Sequence, residues 1–396
     1  MTTLLTLIIF FIYIGLGLPD SSVGASWPAV FADLNIKVGY QSVVTVIISL
    51  GTVIASFFSA SLIKKLGTPL VTALSTFLTA LALLGFSISP SLIWICVCSI
   101  PLGFGAGAID AALNGYVANR YSAFKMNLLH CFYGIGVTLT PYVFSLVLKN
   151  VSDWRTGFFL LFLIQALITV ISFASFPLWK KADQTLPQEN QVKDTPLSFK
   201  TMVKMPLATN AWLVFFATCA LEFVFGTWGC TFLVKQKGLS ESQGAFLISF
   251  YYVGITLGRI LSGVLSKKLN CGKLLTVGYT LAGIGVVLTF LPMAPTYYAI
   301  SLILVGLGNG PTFPNLTHAT PEVFGKQHSN SIIGMQMTFS NLGILLIPPL
   351  SGLLFQEISF NLFPVVALGC FLLMAICTIR YQLLLKSKGK SFFNIN

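Results

Sequence analysis

The stretch from Ser99 to Tyr121, SIPLGFGAGAIDAALNGYVANRY, decides how the rest of the chain is interpreted. It is long and apolar enough to span a membrane as a helix, yet it contains an acid, Asp110. A charge inside a bilayer is costly, so an acid at that depth usually faces a cavity or a partner and serves the function of the protein. Asn114 lies four residues later on the same helical face, where an acid and an amide can meet one ligand. The alternative is that Asp110 only hydrogen-bonds a neighbouring helix.

The composition is that of an integral membrane protein. Of the 396 residues, 55% are hydrophobic and 9% are charged, too few charges to cover the surface of a soluble domain. Apolar runs recur along the chain at about the 20 residues that cross the hydrocarbon of a bilayer. The net charge of +12 lies in the loops between these runs, so we expect no nucleic-acid partner. The eight cysteines are expected to be apolar fillers rather than disulfides or metal ligands.

These runs predict an all-α membrane protein with twelve transmembrane helices. Lys and Arg number 17 in the loops and termini of one side and five on the other, which predicts that both termini are cytoplasmic, with the plasma membrane as the expected location. The predicted spans are residues 4–31, 41–63, 69–88, 91–119, 126–148, 156–179, 207–234, 242–266, 273–292, 295–320, 330–355 and 361–385.

A polar stretch divides the predicted helices into two halves. The segment KADQTLPQENQVKDTP mixes charge, Gln and Pro without an apolar face, which is typical of a linker. We therefore predict an N-terminal six-helix half at residues 1–180, a cytoplasmic linker at 181–206 and a C-terminal six-helix half at 207–396.

The two halves repeat each other in sequence. The segment SASLIKKL at 59–66 matches SGVLSKKL at 262–269, which lies 203 residues later. Gly103, Gly105 and Gly107 match three further glycines at the same offset, Gly306, Gly308 and Gly310. Because six is an even number, both halves begin on the same side and the repeat is parallel in the membrane.

Two parallel six-helix halves are the architecture of major facilitator transporters, and the chain resembles that superfamily over its full length. Gly258-Arg259 followed by Gly263 is similar to its span-eight pattern. The loop Lys64-Lys65-Leu66-Gly67 resembles its gating loop, with Lys64 where the family usually has an acid.

A finer resemblance is to the fucose:proton symporter-like sugar transporters. The segment GFGAGAIDAALN at 103–114 resembles their fourth helix, and KMNLLHCFYG at 125–134 resembles the start of their fifth. Asp20 falls where that group has a first-helix acid. The group usually has Glu in helix four and an amide where His130 and Tyr133 stand here. The resemblance implies uptake of monosaccharides driven by an ion gradient, commonly of protons.

The polar residues within the spans are the candidate site. Asp20 and Asp110 are predicted at different depths, in the outer and inner halves of the membrane, so they suit a proton relay that meets water from each side in turn. Asp20 alternatively holds a helix broken near Pro19. Two isolated histidines make no metal site. The candidate substrate-binding residues are Trp27, Asn114, Tyr133, Glu222, Trp228, Asn315, Gln336 and Asn341, and the candidate gating or structural residues are His130, Arg259 and His318.

The leading functional hypothesis is a proton-coupled transporter that takes up a hexose or deoxyhexose by alternating access. A proton-driven exporter of drugs or metabolites fits the same fold, and a sugar receptor that does not transport is the third possibility. An enzyme would need a nucleophile with its base or a metal cluster, and the spans contain neither, so we expect no enzyme. We expect no cofactor apart from a transported ion, H⁺, and a monomer in the lipid bilayer with a small-molecule substrate.

Overall fold

The computed structural model describes residues 2–120, 123–185, 197–266, 268–292 and 294–395. Apart from short 3-10 turns, the regular structure in these ranges is α-helical, so the predicted all-α fold is confirmed. The helices are α1 Thr2–Asp20, α2 Ser22–Asp33, α3 Gln41–Leu66, α4 Thr68–Ser87, α5 Leu92–Arg120, α6 Ala123–Asn150, α7 Trp154–Ala174, α8 Phe176–Thr185, α9 Phe199–Val203, α10 Pro206–Lys237, α11 Glu241–Leu265, α12 Cys271–Leu288, α13 Tyr298–Asn309, α14 Thr312–Phe324, α15 Lys326–Glu357 and α16 Phe363–Lys386.

Within these ranges, eleven segments are long and apolar enough to cross a membrane. The predicted tenth span, 295–320, is divided into α13 and α14, which have 12 and 13 residues and are each too short to cross alone. The break falls at Gly310–Pro311, where proline has no N–H to continue the helical hydrogen bonds. The first predicted span is interrupted as well, because α1 ends at Asp20 and α2 begins at Ser22.

The predicted linker contains helical structure at both ends. Helix α8 extends to Thr185, and the short helix α9 covers Phe199–Val203, where the Ser198 hydroxyl accepts a hydrogen bond from the Thr201 N–H. The middle of the linker, residues 186–196, lies outside the described residues.

The chain forms two compact units. Unit 1 comprises Met1–Pro187, Gly226–Ser249 and Gly352–Phe360, so it contains α1 to α8 together with the end of α10, the start of α11 and the end of α15. Unit 2 comprises Gln188–Phe225, Phe250–Ser351 and Asn361–Asn396.

Unit 1 is held together by close helix crossings and by hydrogen bonds to backbone carbonyls. Its most extensively packed pairs are α3 with α5, α4 with α5, α4 with α7 and α1 with α6. The segment of α10 in this unit packs against α2, since Gly24 lies directly beneath the Gly226 carbonyl. The buried Gln41 amide donates to the Thr227 carbonyl at 2.9 Å.

The repeated glycines make equivalent contacts in the two units. In unit 1, Gly103 lies against the Ile48 carbonyl. In unit 2, Gly306 lies against the Tyr251 carbonyl, so both partners are 203 residues further along the chain. The pairs Gly107 with Thr52 and Gly310 with Ile255, and Gly105 with Ser75 and Gly308 with Gly278, keep the same offset. At each of these positions a Cβ atom would meet the backbone of the neighbouring helix.

Candidate functional site

Helix α1 carries the two residues around which the candidate site of unit 1 is built, Tyr13 and Asp20. They are seven residues apart, which places them on one face of the helix about 10 Å apart along its axis. Each is hydrogen-bonded to a polar side chain of another helix.

The first of these contacts joins α1 to α5. The fully buried Tyr13 donates its hydroxyl hydrogen to Oδ1 of Asp110 at 3.3 Å. Asn114 donates from Nδ2 to the same oxygen at 2.8 Å, so the predicted acid–amide pair on one helical face is formed. The other amide oxygen, Asn114 Oδ1, is buried and has no hydrogen-bond partner among the described residues.

The second contact joins α1 to α6. The Tyr133 hydroxyl donates to Oδ2 of Asp20 at 2.7 Å, and Asp20 is an exposed residue. The two helices approach closely because Gly17 lies beneath the Tyr133 carbonyl. The Thr140 hydroxyl adds a hydrogen bond to the Leu18 carbonyl at 2.8 Å, which fixes the register of the two helices.

His130 lies between the two contacts. Its ring meets the Tyr13 ring edge to face, with centroids 5.9 Å apart and an interplanar angle of 85°. It precedes Tyr133 by three residues and so shares its helical face. Unit 1 therefore brings together five of the predicted site residues, Asp20, Asp110, Asn114, His130 and Tyr133.

In unit 2, the predicted acid Glu222 pairs with a cation. Arg259 Nη2 of α11 lies 3.4 Å from Glu222 Oε1 of α10, and the two side chains are only 13% and 14% exposed. The Tyr251 hydroxyl donates to the Glu222 backbone carbonyl at 3.2 Å. The Glu222 charge is thus balanced within the unit.

Two predicted amides of unit 2 are engaged in bonds between helices. Asn315 of α14 donates to the Ser262 hydroxyl of α11 at 3.0 Å. Gln336 of α15 is fully buried and donates to the Thr320 hydroxyl at 3.0 Å. Asn341 is half-buried on α15, and His318 is exposed on α14.

The two predicted tryptophans are buried in unit 1. Trp27 is 1% exposed, and its indole N–H donates to the Val38 carbonyl at 2.7 Å. Trp228 is 0% exposed and packs edge-on against Phe355 and Phe360. Neither ring offers a face to a sugar unless its surroundings rearrange.

Two polar contacts of unit 1 were missed by sequence reasoning. Tyr13 lies in an apolar run, and only its seven-residue spacing from Asp20 indicates that it shares the acid's face. Gln165 of α7 donates to the Thr79 hydroxyl at 2.7 Å and is 1% exposed. A lone amide in an apolar helix gives no signal of its partner. No cluster of three or more metal-binding side chains occurs in the part of the chain that the structure describes.

Comparisons with known proteins agree with this architecture. The chain is 23% identical to "Bypass of stop codon protein 6" of Saccharomyces cerevisiae, over 95% of this chain and 81% of that protein. It is 25% identical to the glucose/mannose transporter GlcP of Bacillus subtilis, over 52% of this chain and 51% of that protein. Among solved structures, that of the nucleoside transporter NupG matches with a TM-score of 0.70 and 14% identity, covering 95% of this chain and 98% of that one.

A family model matches nearly the entire chain. The model described as "Major Facilitator Superfamily" covers residues 5–348 and 230–391. Its members move small molecules across membranes, and the many apolar helices described above make this chain a multi-pass membrane protein. The chain therefore belongs to the Major Facilitator Superfamily and is a transporter rather than an enzyme.

Proposed function

We propose that this transporter takes up a monosaccharide, a hexose or deoxyhexose, together with protons by alternating access. The observation that carries the proposal is the pair of acid–tyrosine contacts on α1, Tyr13 with Asp110 and Tyr133 with Asp20. Both acids accept hydrogen bonds from neutral hydroxyls, and the described side chains around Asp110 include no cation that its protonation would leave without a counter-charge. Acids within membrane-spanning helices commonly mark proton relays.

The acid–amide pair on α5 supports a sugar as the substrate. Asp110 and Asn114 offer carboxylate and amide groups side by side, which suits adjacent hydroxyls that both donate and accept. The buried Asn114 Oδ1 atom needs a donor, and a sugar hydroxyl supplies one. The similarity to a glucose/mannose transporter over half of the chain points to the same class of substrate.

We assign Glu222 a role in substrate contact or in helix packing, rather than in proton transfer. Arg259 lies against its carboxylate, and protonation of Glu222 would remove the charge that balances this cation. Asp20 and Asp110 accept hydrogen bonds from tyrosine hydroxyls instead, and we therefore place proton coupling on these two acids.

The remaining features of the proposal rest on the sequence. The distribution of Lys and Arg supports insertion with both termini in the cytoplasm, in the plasma membrane. The repeat supports two six-helix halves, residues 1–180 and 207–396, joined by the linker at 181–206. One chain then holds both halves and can work as a monomer, with no cofactor beyond the transported proton.

The direction of proton movement separates uptake from export. The purified protein in proteoliposomes is given single sugars from outside while the external pH is recorded. Symport with a hexose draws protons inward and makes the medium alkaline, and the Asp110→Asn variant abolishes the signal. A proton-driven exporter gives no response to sugars and moves protons with a lipophilic drug, and a sugar receptor binds the sugar without accumulating it.

A further inference from the structure

Tyr13 takes part in one acid-containing contact of unit 1, the contact at Asp110, and packs against a residue beside the other, the contact at Asp20. Its hydroxyl is bonded to Asp110, while its ring is in edge contact with His130. His130 shares a face of α6 with Tyr133, which bonds Asp20. Tyr13 is also fully buried, so water cannot compensate its hydroxyl if the bond to Asp110 is lost.

The geometry at Asp110 shows which of its two hydrogen bonds is the weaker one. Oδ1 accepts two hydrogen bonds, at 2.8 Å from Asn114 and at 3.3 Å from Tyr13. A proton on the carboxylate removes its charge and so weakens both bonds, and the longer one, from Tyr13, is the more easily broken. Asn114 is held by its own helix one turn away, whereas Tyr13 reaches in from α1 at the longer distance. The proton that binds Asp110 comes from solution, and Tyr13 keeps its hydroxyl hydrogen. The only change at Tyr13 is therefore a rotation of its hydroxyl group.

We propose that Tyr13 is a positioning residue that couples protonation of Asp110 to His130, and through α6 to the contact between Tyr133 and Asp20. A buried hydroxyl whose acceptor has weakened can turn toward another acceptor, and the neighbouring imidazole of His130, with its ring centroid 5.9 Å from that of Tyr13, is the group that can supply one. The use of this coupling in transport rests on the proposed function, but the coupling itself is measurable without any substrate.

The other charged groups on the helices around α1 lie toward the helix ends. Asp33 of α2 pairs with Arg155 of α7 at 2.8 Å, and α4 has neither Asp, Glu, Lys nor Arg. The remaining charged residues with described side chains on these helices are Lys64 and Lys65 in the last turn of α3, Lys149 in the last turn of α6, and the exposed Lys180 and Lys181 of α8. None of these is recorded in a hydrogen bond or ion pair with Tyr13 or Asp110 among the described residues.

Infrared difference spectroscopy of the full chain in liposomes, titrated with pH and without substrate, tests the coupling. The carbonyl bands of the protonated acids are assigned with Asp110→Asn and Asp20→Asn. We expect Tyr13→Phe, which removes only an oxygen atom, to shift the midpoint of the Asp110 band to higher pH by about one unit, the size of one hydrogen bond to a charged group. We also expect a smaller shift of the Asp20 band.

Two further variants separate coupling from local effects. Tyr133→Phe is the matched control, because it removes the corresponding bond at Asp20 directly. In a His130→Leu background, Tyr13→Phe should still shift the Asp110 band but no longer the Asp20 band. Melting curves establish that each variant is folded.

Three results would overturn the inference. The first is an unchanged Asp110 band in Tyr13→Phe, and the second is an Asp110 shift that leaves the Asp20 band in place. The third is an Asp20 shift that persists without His130. If the predicted band shifts occur while proteoliposomes show no proton movement with any sugar, only the proposed function fails.

Discussion

The three candidate acids within the spans differ in their hydrogen-bonding and ion-pair partners. Asp20 and Asp110 accept hydrogen bonds from tyrosine hydroxyls, whereas Glu222 lies against the guanidinium of Arg259. Loss of one charge from a buried ion pair leaves the other without compensation, while loss of a charge beside a hydroxyl only rearranges a hydrogen bond. The partners therefore explain why we place proton coupling on the first two acids.

Substitution of Glu222 tests whether this ion pair is structural. Glu222→Gln removes the carboxylate that balances Arg259, and we expect it to lower the free energy of unfolding by roughly 3 kcal/mol. The double variant Glu222→Gln/Arg259→Gln removes both charges and should recover most of that loss. Denaturant unfolding of the protein in detergent measures both. The assignment is contradicted if the double variant loses as much unfolding free energy as Glu222→Gln and Arg259→Gln lose together.

Helix α1 is the element that organises unit 1. It supplies Tyr13 and Asp20 on one face, and its Gly17 allows α6 to approach closely enough for Tyr133 to reach Asp20. The approach is tight at Gly17, because its Cα lies beneath the Tyr133 carbonyl. The close packing of α1 against α6 and the hydrogen bond between Tyr133 and Asp20 therefore depend on each other.

An added methyl group at Gly17 should separate α1 from α6. The new Cβ of Gly17→Ala would meet backbone atoms rather than the end of a flexible side chain, and overpacking of this kind costs about 1–3 kcal/mol. We also expect slower pH-driven uptake, since Tyr133 would move away from Asp20. Gly115→Ala on α5 is the matched control, because no atom lies within 4 Å of its added Cβ. Equal melting temperatures for the two variants would refute this account of the crossing.

The elements were predictable from the sequence to differing degrees. Apolar length identified the spans, and the acid and amide on one face of α5 predicted the pair of Asp110 and Asn114. The break at Gly310–Pro311 was missed, because hydropathy reports how apolar a segment is and not whether its hydrogen bonds continue. The Tyr13 contact depends on which face of α1 meets α5, and hydrophobic periodicity is weak in helices that are apolar all round.

At the scale of the whole molecule, the sequence repeat is reproduced by backbone contacts but not by polar groups. The glycines at 103, 105 and 107 and those at 306, 308 and 310 pack in the same way in the two units. Asp20 of the first predicted span and Glu222 of the seventh have a tyrosine and an arginine as partners. The repeated scaffold was predictable because glycine spacing is local in sequence, whereas these partners come from other helices.

The proposed alternating access should break one contact within unit 1, because its two residues belong to different predicted six-helix halves. Ser242, at the start of α11, donates to the Ser145 carbonyl of α6 at 2.9 Å, and the two hydroxyl oxygens are 3.5 Å apart. Cysteines at both positions are near enough for a disulfide. We expect oxidation of Ser145→Cys/Ser242→Cys to stop uptake and reduction to restore it.

The controls for this cross-link are the two single variants and the wild-type protein, whose eight cysteines are all free thiols. Oxidation should leave uptake by all three unchanged, and mass spectrometry should detect the new disulfide only in the double variant. A cross-linked transporter that works at the wild-type rate would show that α6 and α11 do not separate here during transport.

The most direct test of the central claim compares two kinds of transport in one variant. Asp110→Asn in proteoliposomes is measured for exchange of labelled sugar at equal pH and for accumulation against a gradient driven by a pH difference. If Asp110 carries the coupled proton, exchange persists and accumulation is lost. Accumulation at the wild-type level in this variant would contradict the claim.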